Sequence, residues 1–454
     1  MTQAAAAPSV ASNLILTKSK FLRLLTLFLF YLTQGVPIGV FLYAIPAWIA
    51  GNGAGVADTA WVVGIVMLPW ALKLINGFVI DRYTFLPMGR RRIWVVGAQS
   101  LVAIVLLVGG AIGPTAQDLV FLAGLGFCAN LAATFQDVAI DSLAIDIMPE
   151  DERAKAASIM FGAQILGIAG STAMVGYLLE FTSFQTAMMA AATVPLAVAF
   201  FGIAIVEREG ERRLPWSKGA AHPYNHSVKI DAWRLLLKQS FRALLVPLNL
   251  FLLPVLLMRA VPFGAFESFH PVLAQQIAGW TISEYTNLNS TAQFVSGVSG
   301  LFVGAWVVER LGAQRAMIMY AMIGIVLLLL MGLSPHLWAN DTFLVVIFFA
   351  SDLIATFIAI AMIPICMRMC HPAVAATQFT IYMATANLGR PIGAWVSGMT
   401  VGQGNPTWLY FACAASWAIL LGILLAVRFP SENQTEHITA QGLPQGEGIA
   451  VRVN

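Results

Sequence analysis

The chain has 454 residues, 59% of them hydrophobic and only 10% charged, with a mean hydropathy of +0.80. That balance excludes a soluble globular protein and predicts an all-α integral membrane protein whose constant partner is a lipid bilayer. A net charge of +3 is too small for a nucleic-acid binder. All four cysteines (Cys128, Cys366, Cys370, Cys413) lie in or beside apolar runs, which points to reduced thiols rather than a disulfide framework.

In chain order, residues 1–17 form a small, polar N-terminal segment. Lys18, Lys20 and Arg23 then precede an apolar run ending near Ile49, too long for a cleavable signal peptide and therefore the first span. Apolar runs of about 20 residues predict further spans at 59–80, 93–112, 118–147, 154–180 and 185–206, so that 18–206 holds six. A polar linker, 207–240, carries Arg208, Arg212, Arg213, Lys218, Lys229, Arg234 and Lys238. Six more spans at 243–271, 285–308, 315–333, 342–369, 373–400 and 407–428 fill 241–428. The tail, 429–454, is polar and expected to be disordered.

With the spans numbered this way, the loops on one side carry no Lys or Arg. All but three of the 25 basic residues lie on the other side, the exceptions being Lys73, Arg259 and Arg390 inside spans. The positive-inside rule then puts both termini in the cytoplasm. The two sets of six spans read as diverged copies. Gln34-Gly35-Val36-Pro37-Ile38-Gly39 aligns with Arg259-Ala260-Val261-Pro262-Phe263-Gly264, and Asn76 to Arg82 aligns with Gly304 to Arg310, ending in Asp81-Arg82 and Glu309-Arg310. Such repeats put a binding site at the interface of two bundles, and a mid-span proline softens a helix where a gate would bend.

Span 4 concentrates charge in apolar sequence. Each carboxylate at mid-bilayer costs about 2.5–3.5 kcal/mol, so Gln136, Asp137, Asp141 and Asp146 require partners, water or protons. Asp137 and Asp141 stand four apart on one helix face; Asp146 turns away near the helix end. At 1.5 Å rise per residue, Lys73 and Asp141 both lie about 12 Å from the cytoplasmic edge, so the lysine and the span 4 acids can meet. Two carboxylates on one face repel when both are ionised, which suits Asp137 and Asp141 to hold a transported proton opposite Lys73; a purely structural ion pair is the alternative. Arg259, Asp352 and Arg390 share a depth of about 16–18 Å from the outer edge. Asp352 can neutralise one arginine, leaving the other for an anionic solute, unless Arg390 and Asp352 form a structural pair. Cys366, Cys370 and His371 at one helix end read as packing rather than a metal site, and no metal is expected.

The order of spans and the loop Gly77-x-x-x-Asp81-Arg82 followed by Gly89-Arg90-Arg91-Arg92 resemble the major facilitator superfamily. Within it the chain resembles the AmpG-type muropeptide permeases, which are related to acetyl-CoA transporters and some siderophore permeases. Gln34-Gly35-x-Pro37, Lys73 eight before Asp81, Arg92-x-Trp94, Gln136-Asp137-x-x-x-Asp141-x-x-x-x-Asp146, Glu152-Arg153 and Ala376-Thr377-Gln378-Phe379 leading to Gly389-Arg390 carry the resemblance. Span 7 departs from it, with Met258-Arg259-Ala260-Val261-Pro262 where those permeases carry Tyr-Lys-x-Gly and an acid. The resemblance implies twelve helices in two six-helix bundles, a monomer in a bacterial inner membrane, and proton-driven import of an anionic or amphipathic small-molecule solute, with no cofactor. It leaves the solute open between a muropeptide and a siderophore or other organic anion.

On this reading Asp137, Asp141 and Lys73 couple protons, while Gln34, Gln136, Arg259, Asp352, Gln378 and Arg390 bind solute. Asp81, Arg82, Arg90, Arg91, Arg92, Asp146, Glu309 and Arg310 gate, with Arg90 to Arg92 reaching Asp146 as a latch. A polytopic membrane enzyme such as an acyltransferase would pair a nucleophile with a base at a membrane edge. His222 and His226 have no such partner, so no catalytic residue is expected. A receptor is disfavoured by short tails without a soluble domain.

Overall fold

Inside a bilayer every backbone amide must be satisfied within its own segment, so the long apolar runs fold as helices. The computed structural model describes residues 14–227, 245–370, 375–402 and 404–430. Twelve helical segments follow one another: α1 (Lys20–Gly51), α2 (Val56–Leu72, continued as Leu74–Arg82), α3 (Arg92–Ile112), α4 (Leu119–Ile147), α5 (Glu150–Phe181) and α6 (Phe184–Ala204). After the linker come α7 (Pro247–Ile277), α8 (Ile282–Ser299, bent into Ala305–Leu311), α9 (Ala313–Leu333), α10 (Asp341–Met369), α11 (Ala375–Gly402) and α12 (Thr407–Ala426). Among the described residues nine helices are long and apolar enough to cross a membrane, ten with the bent pair. Of the other two, α2 is apolar but cut to 17 residues by its break at Lys73, while α11 is diluted by polar residues.

Packing repeats with a shift of six helices. In the first half α1 packs on α5, α3 on α6 and α4, and α2 on α4; in the second, α7 packs on α11, α9 on α12 and α10, and α8 on α10. The halves meet along α2 with α11 and along α5 with α8, two interfaces that the same shift interchanges. The aligned glycines Gly39 and Gly264 show why. A Cβ at Gly39 would fall on the Ile168 carbonyl and the Ser171 hydroxyl of α5, and one at Gly264 on the Arg390 carbonyl of α11, so both contacts bring backbones together.

Regular helix is interrupted inside several of these spans. α1 loosens into a π turn at Val40–Ala44, just past Pro37, and α7 does so at Leu273–Ile277, just past Pro271. α2 breaks at Lys73, and α8 carries a π turn at Gly300–Gly304, the aligned place in the second repeat. π turns and breaks of this kind free backbone carbonyls and concentrate bending.

The start of the linker is folded onto the first bundle. Ile15 pairs with Val206, and the buried Glu207 carboxylate accepts from the backbone amides of Arg90, Arg91 and Arg92 at 2.9, 2.9 and 2.6 Å, capping the N-terminus of α3. Burial, and next the nearby Glu211, push the Glu207 carboxyl above its usual range against those three amides. Arg92 is fully buried, donating to the carbonyls of Met88, Gly202, Arg213 and Arg212.

Candidate functional site

In the first bundle the charges close on one another. Asp137 receives Lys73 Nζ at 3.0 Å and Gln34 Nε2 at 2.5 Å, joining α4 to α2 and α1. Asp141, one turn further along α4, accepts from the Tyr31 hydroxyl of α1 and is exposed. The lysine sits at the break of α2, 5.8 Å from the centre of the Trp70 ring. Trp70 is itself pinned twice: its indole donates to Asn130 of α4 at 2.8 Å, and its carbonyl accepts from Asn387 of α11 at 3.3 Å. The expected meeting of Lys73 with the span 4 acids therefore occurs, through Asp137.

A cavity of about 310 Å³ lies between the bundles, walled mainly by α7, α8, α10 and α11 with Tyr43 of α1 and part of α5. Arg259, Asp352 and Arg390 all line it. The partner of Arg390 is Glu267 of α7, not Asp352: two guanidinium nitrogens engage the Glu267 carboxylate, which also accepts from Tyr43 at 3.2 Å. Asp352 therefore neutralises neither arginine, and the alternative of a structural Arg390–Asp352 pair is corrected as well, because α7 packs closely on α11 and supplies Glu267. Asp352 makes no hydrogen bond or ion pair among the described residues. Arg259 likewise has no acid partner; its Nε is buried without a hydrogen bond, and its guanidinium lies over the Phe263 ring at 5.3 Å.

Glu267 and His270 escape the sequence reading. Both sit near the C-terminal end of the apolar run of α7, where only the three- and four-residue spacing from Phe263 and Phe266 hinted at a cavity face. His270 is stacked between Phe266 and Phe348, each ring centroid 4.4 Å away.

Three expected solute ligands stand elsewhere. Gln34 is spent on Asp137. Gln136 is fully buried and donates to the Phe30 carbonyl of α1 at 2.6 Å, tying α4 to α1. Gln378 is buried against Tyr382 at 2.5 Å and the Met369 carbonyl at 3.1 Å, at the end of the bundle that carries the linker. None of the three lines the cavity, because each is taken up by helix-to-helix hydrogen bonding.

At the linker end, Arg90 and Arg91 approach Asp146 at 3.9 and 3.8 Å, as expected for a latch. Arg92 does not reach it, since its guanidinium is consumed by carbonyls. Both paired arginines and the acid belong to the first bundle, so the contact ties α3 to α4 rather than one half to the other. Arg82, over the Tyr83 ring, and Glu309 and Arg310 are exposed at the same end. The Asp81 and Arg153 side chains lie outside the described residues.

Contacts between halves gather at the far end. Gln275 donates to the Ala47 carbonyl at 2.7 Å, Gln276 to those of Ala50 and Ala54 at 2.9 Å, and Thr59 to that of Ser268 at 2.8 Å, while Glu180 accepts from the Ser283 amide at 2.6 Å. At the linker end Asp141 and Ile145 are exposed.

The Major Facilitator Superfamily model matches residues 24–394. The chain is 23% identical over 407 residues to the anhydromuropeptide permease of Escherichia coli strain K12, covering 86% of this chain and 77% of that one. A putative transporter AmpG 4 of Rickettsia felis is 26% identical over 224 residues, 46% of this chain and 52% of its own. Among solved structures, a bacterial homologue of the human lysosomal transporter Spinster, inward-facing and unoccupied, superimposes with a TM-score of 0.63 at 13% identity, covering 92% of this chain and 95% of that one. A mutant of the nucleoside transporter NupG gives 0.61 at 14%, covering 88% and 98%. The repeated helix packing, the charges buried between helices and the cavity between the halves thus belong to a multi-pass membrane transporter, and the chain is a member of the Major Facilitator Superfamily.

Proposed function

We propose that this transporter is a proton-driven importer of an anionic or amphipathic solute such as an anhydromuropeptide across a bacterial inner membrane. The observation that carries the reading is the cluster at the break of α2, where Lys73 and Gln34 hold Asp137 while Asp141, one turn away, leans only on Tyr31 among the described residues and is exposed. With the basic linker end taken as cytoplasmic, the hydrogen bonds gathered between the halves at the far end support an inward-facing reading of this state. A proton entering from the far side neutralises one carboxylate of the pair, weakening the hold of Asp137 on Lys73 and freeing the break of α2 to move. Opening to the cytoplasm exposes the acids to water, and re-formation of the Lys73–Asp137 pair favours release of the proton. Such a difference between states is what couples a gradient to a solute.

The solute half of the cycle falls to the second bundle. Arg259, without a carboxylate partner in a buried wall, is the counter-ion for an anionic group. Asn387, which lines the cavity and holds the Trp70 carbonyl one turn from Lys73, is the bridge between the two. The unpartnered Arg259 equally favours a second reading, a siderophore or other organic-anion permease.

The test is uptake of labelled anhydromuropeptide into proteoliposomes under an imposed proton gradient. Asp137→Asn and Asp141→Asn should lose accumulation against a gradient and keep part of the solute exchange that needs none. If both variants still accumulate solute and a protonophore leaves the wild type unaffected, the proton reading fails.

A further inference from the structure

Of the acids described away from the ends of the spans, Asp137 is held by Lys73 and Gln34, Asp141 by Tyr31, and Glu267 by Arg390 and Tyr43. Asp352 stands apart. It lies near the middle of α10, lines the same cavity as Arg259, and neither makes an ion pair with that arginine nor takes a hydrogen bond from a described residue. A carboxylate and a guanidinium facing one cavity in low dielectric attract strongly at short range. Here they are held apart on different helices, Arg259 with its Nε buried and unpartnered. A plain anion drawn to Arg259 would meet the Asp352 carboxylate as a like charge, which costs affinity in a desolvated site.

We infer that the cavity recognises a dipolar solute: an anionic group at Arg259 and a cationic amine at Asp352, with an apolar body between. Phe263 and Phe266 of α7, Phe348 and Ile360 of α10 and Ile165 of α5 supply apolar wall for that body, and Asn289 and Gln293 of α8 supply amide groups beside it. A volume of about 310 Å³ suits the charged head of a solute. The rule also explains why Arg390 is excluded from recognition. Its charge is cancelled by Glu267, so the cavity presents one positive and one negative group rather than an excess of positive charge.

This inference rests on the solute-carrier reading above but not on its proton step. It is tested on the purified full chain in nanodiscs by thermal shift with three matched probes: alanyl-phenylalanine, its N-acetyl form and its C-terminal amide. The zwitterion should bind the wild type about tenfold more tightly than either capped form, the share expected of one charged hydrogen bond. Asp352→Asn should erase the difference between free and acetylated peptide while keeping that between acid and amide; Arg259→Gln should do the reverse. Equal binding of free and acetylated peptide to the wild type, or no shift with any probe at about 10 mM, overturns the inference, and this comparison needs no variant to fold. Proton-driven uptake is measured on the same protein in proteoliposomes: its absence with the peptide pattern intact sinks the coupling step alone, and the reverse sinks the dipolar-solute inference alone.

Discussion

The two halves share a packing plan yet treat charge in opposite ways. In the first, buried charges are cancelled inside the bundle: Lys73 with Asp137, Arg23 with Glu152 at 2.8 Å, and Glu207 with the amides that open α3. In the second, Arg390 is cancelled by Glu267, but Arg259 and Asp352 face the cavity with no partner among the described residues. Duplication preserved the close helix contacts, since those depend on small residues such as Gly39 and Gly264, while side chains facing the interior were free to diverge. A half whose charges answer one another can change state by protonation. A half with open charges can change state by binding.

That contrast predicts different costs for similar substitutions. Breaking a buried pair by removing one member strands the other, at a cost of about 3–5 kcal/mol. Glu267→Gln should therefore show the largest loss of thermal stability and yield, because it leaves the Arg390 charge without an acid, even though the amide oxygen can still accept from Tyr43 across the halves. Glu267→Gln combined with Arg390→Gln should recover much of it. Lys73→Met should behave similarly in the first half, stranding Asp137, with unfolding followed by differential scanning fluorimetry. An equal stability for single and double variants would mean that the Glu267–Arg390 pair contributes little.

Backbone contact should be the next most sensitive feature and should affect both halves alike. Gly39→Ala and Gly264→Ala each set a methyl group against a neighbouring helix, and overpacking of this kind costs about 1–3 kcal/mol. A loss in only one half would show that the repeats no longer rely on the same contact. Glu207→Ala should cost about 1–3 kcal/mol by leaving three buried amides without their acceptor, and Glu207→Gln should restore part of this. Limited proteolysis in the linker would report the same change as faster cleavage.

The smallest effect on stability, and the most telling in sign, concerns the open charges. Arg259→Gln and Asp352→Asn remove groups that are desolvated without a partner, so each should leave the melting temperature unchanged or raise it while impairing uptake of the solute. A fall comparable to that of Lys73→Met would mean that these residues are structural. Asn387→Ala should melt like the wild type and lower accumulation more than exchange, since it cuts the link from the cavity to the Trp70 carbonyl.

Much of this was legible in the residues. Hydrophobic runs located the spans within a few positions, because burying a helical turn in lipid demands apolar side chains over a set length. The meeting of Lys73 with span 4 followed from equal depth, and the repeat from Pro37 with Pro262 and Gly39 with Gly264. Depth, however, carries no azimuth. It put Arg259, Asp352 and Arg390 on one level without telling which helices adjoin, so it offered Asp352 to one of the two arginines where the packing of α7 on α11 supplies Glu267 to Arg390. Gln34, Gln136 and Gln378 looked like solute ligands because an amide in an apolar run advertises a hydrogen bond without naming its partner. The sequence by itself determined a polytopic helical protein made of two related halves, with acids and bases at matching depth, since those properties are one-dimensional sums of burial and rise. Only the tertiary structure decided which charges cancel and which stay open to the cavity, because that depends on which helix faces meet, and the pairing energy of a buried charge falls away over a few ångströms.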